Sequence, residues 1–216
     1  MTETATLPNR PPTTVSIVID DDATPIVRLI GRTLDAAART GHASDVFDRS
    51  SGTVVVRSHN TPQCATIVFD DGRVTVAGGV SGEPDATLVV DVDNRFAPRT
   101  EPAADSELAD DVQRALRPAP PAWRDAAARF WALTRDIHGI PDVLIVTVDG
   151  PDGPEQAQFG AGPDRYRMSG RADVLAGVFS GADYLIDALS AGLAVQGTLS
   201  QLSVMTAASW KVRFDV

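Results

Sequence analysis

Four short apolar runs follow one another closely in the first half of the chain, and they constrain the fold more than any other feature of the sequence. They occupy residues 53–57, 65–69, 73–77 and 86–92. Asp71-Gly72 separates the second run from the third, and Asp-Gly between two such runs is a strong signal of a β-hairpin. Consecutive strands joined by tight turns pair antiparallel, so we expect an antiparallel meander rather than a parallel dinucleotide-binding sheet.

Segments with helical periodicity lie on both sides of these strands. The acidic residues 20–22 followed by Pro25 predict the start of a helix, and Gly41 predicts its end. A short helix is expected at 106–116, and a longer helix at 122–137. Helices and short strands in separate blocks predict an α+β fold, with a mostly antiparallel sheet and helices packed on one face.

The C-terminal third repeats this mixture of short elements. Residues 15–19 near the start of the chain also form a β-branched run, which predicts one more strand. The further expected elements are strands at 143–148, 155–159, 165–168 and 193–195, helices at 172–179, 182–190 and 199–205, and a closing strand at 210–216.

The domain organisation has two interpretations. A chain of 216 residues suits one large domain or two small ones. In the first interpretation, residues 1–12 are a flexible tail and residues 13–216 form a single domain, with a Pro-rich and partly helical insertion at about 94–121. In the second, 13–93 and 122–216 are two related half-units.

A weak internal repeat favours the second interpretation. Gly82-Glu83-Pro84-Asp85 resembles Gly162-Pro163-Asp164, and both segments follow a hairpin and precede a strand. Because Gly, Pro and Asp are common in turns of all kinds, the repeat leaves both interpretations open.

Composition and charge disfavour several classes of function. A net charge of −10 disfavours nucleic acid and anionic lipid surfaces as partners, because both require clustered cations. No apolar run approaches the roughly 20 residues that span a bilayer, and residues 1–12 lack the apolar segment of a signal peptide. The lone Cys64 can form neither an internal disulfide nor a thiolate zinc site. We therefore expect a cytoplasmic protein without membrane insertion.

The sequence contains one segment with the form of a catalytic motif. Residues 20–24 follow an apolar run and fit the Asp-x-Asp-x-Thr pattern of haloacid-dehalogenase-type phosphatases. That class also needs a lysine and later acids, but the only lysine is Lys211, and only Asp215 follows it. A helix start explains these aspartates better.

Other signals of catalysis are weak. The histidines 42, 59 and 138 have no metal-ligand partners at helical spacing, and there is no Gly-x-Ser-x-Gly elbow. We therefore expect a protein that is not an enzyme and carries no cofactor or metal.

The segment 162–205 resembles the sterol carrier protein type 2 family. The resemblance rests on Pro163-Asp164, a strand at 166–170, a helix at 172–179 and a separating Gly181. It continues with the strand Gly192-Leu193-Ala194-Val195-Gln196-Gly197 and a final helix at 199–205.

The resemblance implies a sheet with helices on one face and an apolar tunnel between them. Members of that family bind sterols, fatty acids or acyl-CoA and have no catalytic residues, so it implies non-catalytic binding of a lipid, fatty acid, sterol or acyl-CoA. The expected ligand-binding residues are the bulky apolar groups of this region: Phe130, Trp131, Leu175, Val178, Phe179, Leu185, Leu189, Leu193, Leu202 and Met205.

Two alternatives remain open at this point. The same side chains can fill a solid core, since a cavity and a core use the same residue types. The chain would then be a structural or interaction protein, a homodimer for example, with the expected strand at 210–216 pairing with its partner. The second alternative is an unrecognised hydrolase or isomerase of lipid thioesters, which requires polar groups that converge in the cavity.

Overall fold

The structure is a computed structural model that describes residues 15–99, 106–150 and 153–214. It confirms the α+β class. The helices are α1 (Pro25–Thr40), α2 (Ser44–Arg49), α3 (Glu107–Ala115), α4 (Trp123–Thr134), α5 (Ala172–Ser180), α6 (Leu185–Ser190) and α7 (Leu199–Phe214). The strands are β1 (Ser16–Ile19), β2 (Gly52–Ser58), β3 (Cys64–Asp70), β4 (Arg73–Gly78), β5 (Ala86–Asp91), β6 (Ala97–Pro98), β7 (Val143–Gly150), β8 (Gly153–Gly160), β9 (Arg165–Gly170) and β10 (Ala194–Gln196).

The first sheet has the strand order β1-β4-β3-β2-β5-β6. Strands β2, β3 and β4 form the antiparallel meander that the sequence predicts. The turn between β3 and β4 has positive φ at Asp71 and at Gly72, as the expected Asp-Gly hairpin turn requires. However, β1 pairs with β4 and β5 pairs with β2 in parallel. The prediction of a mostly antiparallel sheet is therefore only partly right.

Strand β5 runs parallel to β2 because of the connection between β4 and β5. The chain leaves β4 at one end of the sheet and re-enters at the other end beside β2, so residues 79–85 must cross the sheet. Thr66 of β3 binds this connection, because its hydroxyl donates to the Gly79 carbonyl at 2.8 Å and accepts from the Ser81 amide at 3.1 Å. Val55 and Thr66, on the face away from the main core, are almost fully buried.

The other face of this sheet carries the N-terminal core. Alternate residues of the strands point into it, as the period of two in a strand requires, and α1, α2 and α3 cover it. Its strand residues include Val54, Val56, Ala65, Ile67, Phe69, Val74, Val76, Leu88 and Val90. We refer to α1–α3 and β1–β6 together as the N-terminal half.

The second sheet has the order β10-β9-β7-β8 and forms the C-terminal half together with α4–α7. Leu144, Val146 and Val148 of β7 pack with Tyr166 and Met168 of β9 against α4, α5 and α7. The cluster of buried side chains here is separate from the N-terminal core. Each half thus has a sheet and a core of its own.

The two sheets share one strand arrangement. In each, a first strand (β2 or β7) pairs antiparallel with the next strand (β3 or β8) on one side. A later strand (β5 or β9) returns in parallel on the other side, and a short antiparallel strand (β6 or β10) completes that edge. The N-terminal half adds β4 and β1, whereas the C-terminal half inserts α5 and α6 before its edge strand.

Two predictions about local structure are wrong. The expected closing strand at 210–216 is helical as far as Phe214, and residues 215–216 lie outside the described part of the chain. The buried residues Met205, Ala208 and Val212 follow helical spacing, so packing on the C-terminal core decides the structure here.

The aspartates at 20–22 do not cap α1. The N-cap residue is Thr24, and Asp20 instead accepts a hydrogen bond from the Gly78 amide at 3.1 Å. Helix α2 was not predicted. The other expected helices and strands appear with bounds shifted by a few residues, except that the helix expected at 199–205 continues to Phe214. Gly41 ends α1 in the left-handed conformation.

The expected insertion at 94–121 includes β6 and α3. The Ser106 hydroxyl caps α3 by accepting from the Ala109 amide at 3.3 Å. Ala109, Val112 and Ala115 lie in the N-terminal core, so α3 is an integral part of that half. Residues 100–105 of this segment, like the expected tail at 1–12, lie outside the described residues.

Helices of the described ranges are too short or too polar to cross a bilayer.

Candidate functional site

The two halves meet where α1, α7 and the turn between α5 and α6 converge. Gly181 ends α5 with φ +73°, and a Cβ added to it would lie 2.7 Å from the Cα of Arg213. Only glycine permits this backbone conformation and this close approach together. The end of α5 is therefore held directly against the backbone of α7.

Arg32 of α1 connects the N-terminal half to this junction. Its Nε donates to the Arg213 carbonyl at 2.9 Å and its Nη1 to the Ser180 carbonyl at 2.6 Å. Its Nη2 donates to the Gly181 carbonyl at 3.3 Å. All three guanidinium nitrogens of Arg32 thus bond to backbone oxygens of the C-terminal half.

Arg213 of α7 makes the reciprocal connection. Its Nη1 donates to the carbonyls of Gly181 and Ala182 at 2.9 and 2.8 Å, and its Nη2 donates to the Val92 carbonyl of the N-terminal half at 2.9 Å. The guanidinium lies 4.1 Å from the ring centroid of Tyr184. The residue is only 1% exposed, and its Nε has no hydrogen-bond partner among the described residues.

A third arginine pairs with a carboxylate across the junction. Arg95 follows β5 and forms two hydrogen bonds with Asp183, one of them from Nε at 2.8 Å. Gly177 of α5 makes room for this pair, because a Cβ there would overlap both the carboxylate and the guanidinium. The buried guanidinium of Arg213, the half-buried guanidinium of Arg32 and one ion pair therefore join the halves.

A cavity of about 560 Å³, which we call the central cavity, lies beside this junction and is partly open to solvent. Its buried apolar residues come equally from the two cores. Leu29, Phe96 and Leu116 belong to the N-terminal core. Ala126, Phe179 and Val212 belong to the C-terminal core. The cavity therefore exists only because the two halves are assembled.

The exposed residues of the cavity wall form its mouth. They include Arg117 just after α3, Ala119 and Pro121 of the proline-rich segment 118–121, and Arg129 and Leu133 one turn apart on α4. Leu133 is 44% exposed, so an apolar side chain extends the wall out to solvent. An apolar surface thus runs from the mouth into the interior.

The cavity wall is strongly cationic although the chain as a whole is acidic. Six arginines line it: Arg32, Arg39, Arg95, Arg117, Arg129 and Arg213. Asp125 is the one carboxylate in the wall among the described residues. The net charge of the whole chain is −10, so positive charge is concentrated at this site against the overall composition.

The arginines of the wall differ in how they are neutralised. Arg39 pairs with Asp35 at 2.7 Å, and Arg95 pairs with Asp183. Within the described ranges, neither Arg117 nor Arg129 has a side-chain partner.

Burial, with repulsion from Arg213 and Arg39, lowers the pKa of Arg32 to about 10 despite the opposing effect of Asp35. Arg32 and Arg213 bond to neutral carbonyls, and neither forms a salt bridge with a carboxylate of the described residues.

The hydroxyl groups of the wall are engaged in their own helices. Thr33 donates to the Leu29 carbonyl at 2.7 Å, and Thr40 donates to the Ala36 carbonyl at 2.9 Å. Ser180 donates to the Gly177 carbonyl at 3.2 Å. The described wall therefore offers guanidinium groups and apolar surface to a ligand.

The ten predicted ligand-binding residues lie mostly in the C-terminal core. Seven of them are at most 4% exposed: Phe130, Leu175, Val178, Phe179, Leu185, Leu193 and Met205. The other three, Trp131, Leu189 and Leu202, are partly buried at its edge. Of the ten, Phe179 lies in the wall of the central cavity, where it also packs on Phe130 with ring centroids 5.2 Å apart.

Sequence reasoning did not identify the arginines of the wall. They are spread from Arg32 to Arg213 on helices and loops of both halves, and nothing in their spacing indicates that they converge. The proline-rich segment 118–121 was a signal that could have been used. The sequence predicts this segment to be part of an insertion, and in the structure it forms one side of the mouth.

A second, shallower groove lies on the outer side of α7. Leu199, Leu202, Thr206 and Trp210 follow one another at helical spacing along it, and Ile186 of α6 lies beside them. Leu199 is 85% exposed and Trp210 is 53% exposed. This groove is separate from the central cavity.

Comparisons with known proteins give no relative for this chain, since no family model matches it and no curated protein or solved structure matches it significantly.

Proposed function

We propose that the protein binds a hydrophobic small molecule in the central cavity without catalysing a reaction on it. The supporting observation is the cavity itself, whose volume of about 560 Å³ is bordered by buried apolar side chains of both cores. Small-molecule sites of proteins typically enclose roughly 300–1,000 Å³ and have mainly apolar walls. The resemblance to the sterol carrier family supports the same ligand class: a lipid, fatty acid, sterol or acyl-CoA.

The energetics allow useful affinity. A twelve-carbon chain that leaves water gains roughly 10 kcal/mol at about 0.8 kcal/mol per methylene. The translational and rotational freedom that is lost on binding costs about 4 kcal/mol or more. The remaining free energy corresponds to a dissociation constant of roughly tens of micromolar.

The proposed location differs from the one that the resemblance implies. The resemblance places the ligand between the C-terminal sheet and its helices, where the structure has closely packed side chains of 0–4% exposure such as Leu175, Val178 and Leu193. The central cavity lies between the halves, and of the predicted residues only Phe179 borders it. The proposal therefore keeps the ligand class and changes the site.

Native mass spectrometry of freshly purified protein, followed by organic extraction, tests the proposal directly. Near-stoichiometric recovery of a fatty acid, sterol or acyl thioester supports it. A matched pair of variants locates the site: Ala36→Phe inserts a ring into the cavity, and Ala132→Phe places the same ring on an exposed position of α4. Loss of the ligand in the first variant alone is expected, and equal retention in both would contradict the proposed site.

The groove on α7 supports a second candidate function, docking of a protein partner or of a second copy. An apolar stripe that includes Leu199, Trp210 and Ile186 is unusual on a solvent-exposed surface and is typical of interaction sites. Light scattering coupled to size exclusion, on the wild type and on Leu199→Glu, tests whether this groove is a dimer interface. A wild-type monomer would rule out self-association through it.

The shared strand arrangement supports a proposal about organisation as well. We propose that the chain consists of two related half-units, each with a first strand, a hairpin partner, a parallel return strand and an edge strand. The similar turns Pro84-Asp85 and Pro163-Asp164 precede the return strand in both halves.

A further inference from the structure

We propose that the central cavity selects amphipathic anions, with the apolar part of the ligand inside the cavity and a carboxylate or phosphate group at the mouth between Arg117 and Arg129. This inference rests on the proposed function, because it specifies the chemistry of the ligand that the same cavity would hold. Nothing in the composition of the chain suggests it, since the chain carries an excess of ten negative charges.

The charge of the wall supports the choice of an anion. The described wall residues include six arginines and one aspartate. Of these arginines, Arg39 and Arg95 are neutralised by carboxylates outside the wall. Four guanidiniums therefore remain without an ion-pair partner in the described chain, against the single carboxylate of Asp125. Such a concentration of one sign in a cleft with low-dielectric walls attracts the opposite charge and repels a cationic ligand.

The hydrogen bonds of the arginines indicate where the anionic group lies. Arg32 uses all three of its guanidinium nitrogens on backbone carbonyls, and Arg213 uses both of its terminal nitrogens in the same way. Arg117 and Arg129 are exposed, have no side-chain partner in the described residues, and lie in the wall. Their guanidinium groups are therefore the ones able to take a carboxylate or phosphate in two-point hydrogen bonds.

Solvation favours the same orientation of the ligand. An ionised headgroup that is buried deep in an apolar cavity loses its hydration, whereas one at the mouth keeps part of it. The deep part of the wall includes Leu29, Phe96, Leu116 and Phe179, which suit an aliphatic chain or a ring system. The charges of the half-buried Arg32 and the buried Arg213 lie in the same wall and add a positive potential.

Replacing Asp125 should strengthen the binding of an anion, whereas replacing the arginines should weaken it. Asp125 lies one helical turn before Arg129 on α4 and is the carboxylate that opposes an anion in this wall. Replacing it with asparagine removes the repulsion and leaves the shape almost unchanged. We expect Asp125→Asn to bind anionic ligands about two- to fivefold more tightly, since about 1.4 kcal/mol corresponds to tenfold and an exposed pair interacts by less than that.

A series of probes with one twelve-carbon chain and different headgroups tests the inference. Dodecanoate, dodecyl phosphate, dodecanol and dodecylamine are titrated below their aggregation concentrations into the full-length protein at neutral pH, by isothermal calorimetry or by displacement of a fluorescent fatty acid. We expect at least one anion to bind about tenfold or more tightly than the alcohol, and the amine to bind most weakly. The comparison of the two anions shows which headgroup chemistry the mouth prefers.

Paired variants assign the preference to the mouth. Arg117→Gln/Arg129→Gln removes two exposed cations from the wall, and Arg165→Gln/Arg167→Gln removes two exposed cations from β9, outside it. Both changes alter the net charge equally, and both concern exposed side chains, so we expect both proteins to fold. The first pair should remove most of the preference for anions and leave binding of the alcohol unchanged, with Arg32 and Arg213 supplying what remains, whereas the second should leave the preference intact.

The outcomes separate the two proposals. If dodecanol binds as tightly as both anions, or if the Arg117 and Arg129 variant keeps the full preference, the headgroup inference is overturned and the hydrophobic site stands. If no probe binds and nothing is extracted from the purified protein, the proposed function fails, and the inference fails with it. Tighter binding of anions that is lost in the mouth variant alone supports both.

Discussion

Replacing Gly181 with alanine tests the junction between the halves, because the chain contains a near-identical glycine to compare it with. Gly41 ends α1 with φ 70° and ψ 13°, and Gly181 ends α5 with φ 73° and ψ 14°. A Cβ at position 41 meets nothing within 4 Å, whereas at 181 it meets the backbone of α7 at 2.7 Å. The two substitutions thus share the backbone strain and differ in the contact.

The magnitudes follow from these two terms. Placing alanine in a left-handed conformation costs about 1 kcal/mol, and this is the whole expected cost of Gly41→Ala. Overpacking against a backbone adds about 1–3 kcal/mol, and here any shift of α7 also disturbs the bonds that Arg32 and Arg213 donate to the Gly181 carbonyl. We therefore expect Gly181→Ala to cost about 2–4 kcal/mol in total.

Urea unfolding followed by tryptophan fluorescence and by circular dichroism measures the difference. With a slope of about 2 kcal/mol per molar urea, an excess cost of about 2 kcal/mol moves the midpoint of Gly181→Ala about 1 M below that of Gly41→Ala. Equal midpoints for the two variants would refute the argument, since α7 would then not lie against the end of α5 as described.

Three further predictions concern polar groups that are buried or half-buried. The buried Tyr166 hydroxyl has no partner among the described residues, so Tyr166→Phe should leave the stability at neutral pH unchanged or raise it by up to about 1 kcal/mol. Burial raises the pKa of Tyr166 to about 12, so wild-type stability should fall as the pH rises from about 10 towards 12. Phenylalanine should remove that loss, as urea midpoints against pH would show, and an unchanged alkaline profile would contradict the assignment. Burial alone would raise the pKa of Asp91, but the hydrogen bonds from Arg99 and the Asp93 amide hold it below its usual range. Its contribution to stability is therefore present above about pH 3.9 and lost as the pH falls through the lower folded pKa, and Asp91→Asn should flatten the acid side of the profile. Asp183→Asn weakens the pair with Arg95 and should cost about 1 kcal/mol in thermal or urea unfolding, whereas an unaltered midpoint would show that this pair does not stabilise the junction.

The fold could be predicted from the sequence wherever the deciding interactions are local. The hairpin at Asp71-Gly72 and the end of α1 at Gly41 depend on the backbone conformations that those residues allow, so they could be read directly. The parallel position of β5 depends on a connection that crosses the sheet, and no local signal marks it. The segment from Trp210 to Phe214 alternates apolar and charged residues like a strand, but packing makes it helical and buries Arg213 instead.

The site could not be predicted, for a related reason. The sequence indicates the apolar groups of the C-terminal half, and the structure uses most of them to fill a core. The central cavity needs Leu29 and Leu116 from one half and Phe179 and Val212 from the other, and its charges come from arginines on several separate elements. Which of these groups meet depends on how the halves are joined, and that information is not contained in any single segment.

The shared strand arrangement has a consequence for how the junction is built. The arrangement common to both halves consists of strands. The hydrogen bonds and the ion pair described above for the junction involve no residue of β7–β10. The carbonyls of Ser180, Gly181 and Ala182 and the carboxylate of Asp183 belong to the segment between the return strand and the edge strand, where the N-terminal half has only a short loop. The junction thus depends on a segment that differs between the two halves, although their strands are arranged alike. Two identical copies of the N-terminal strand arrangement, set side by side, would lack the groups that hold this assembly together.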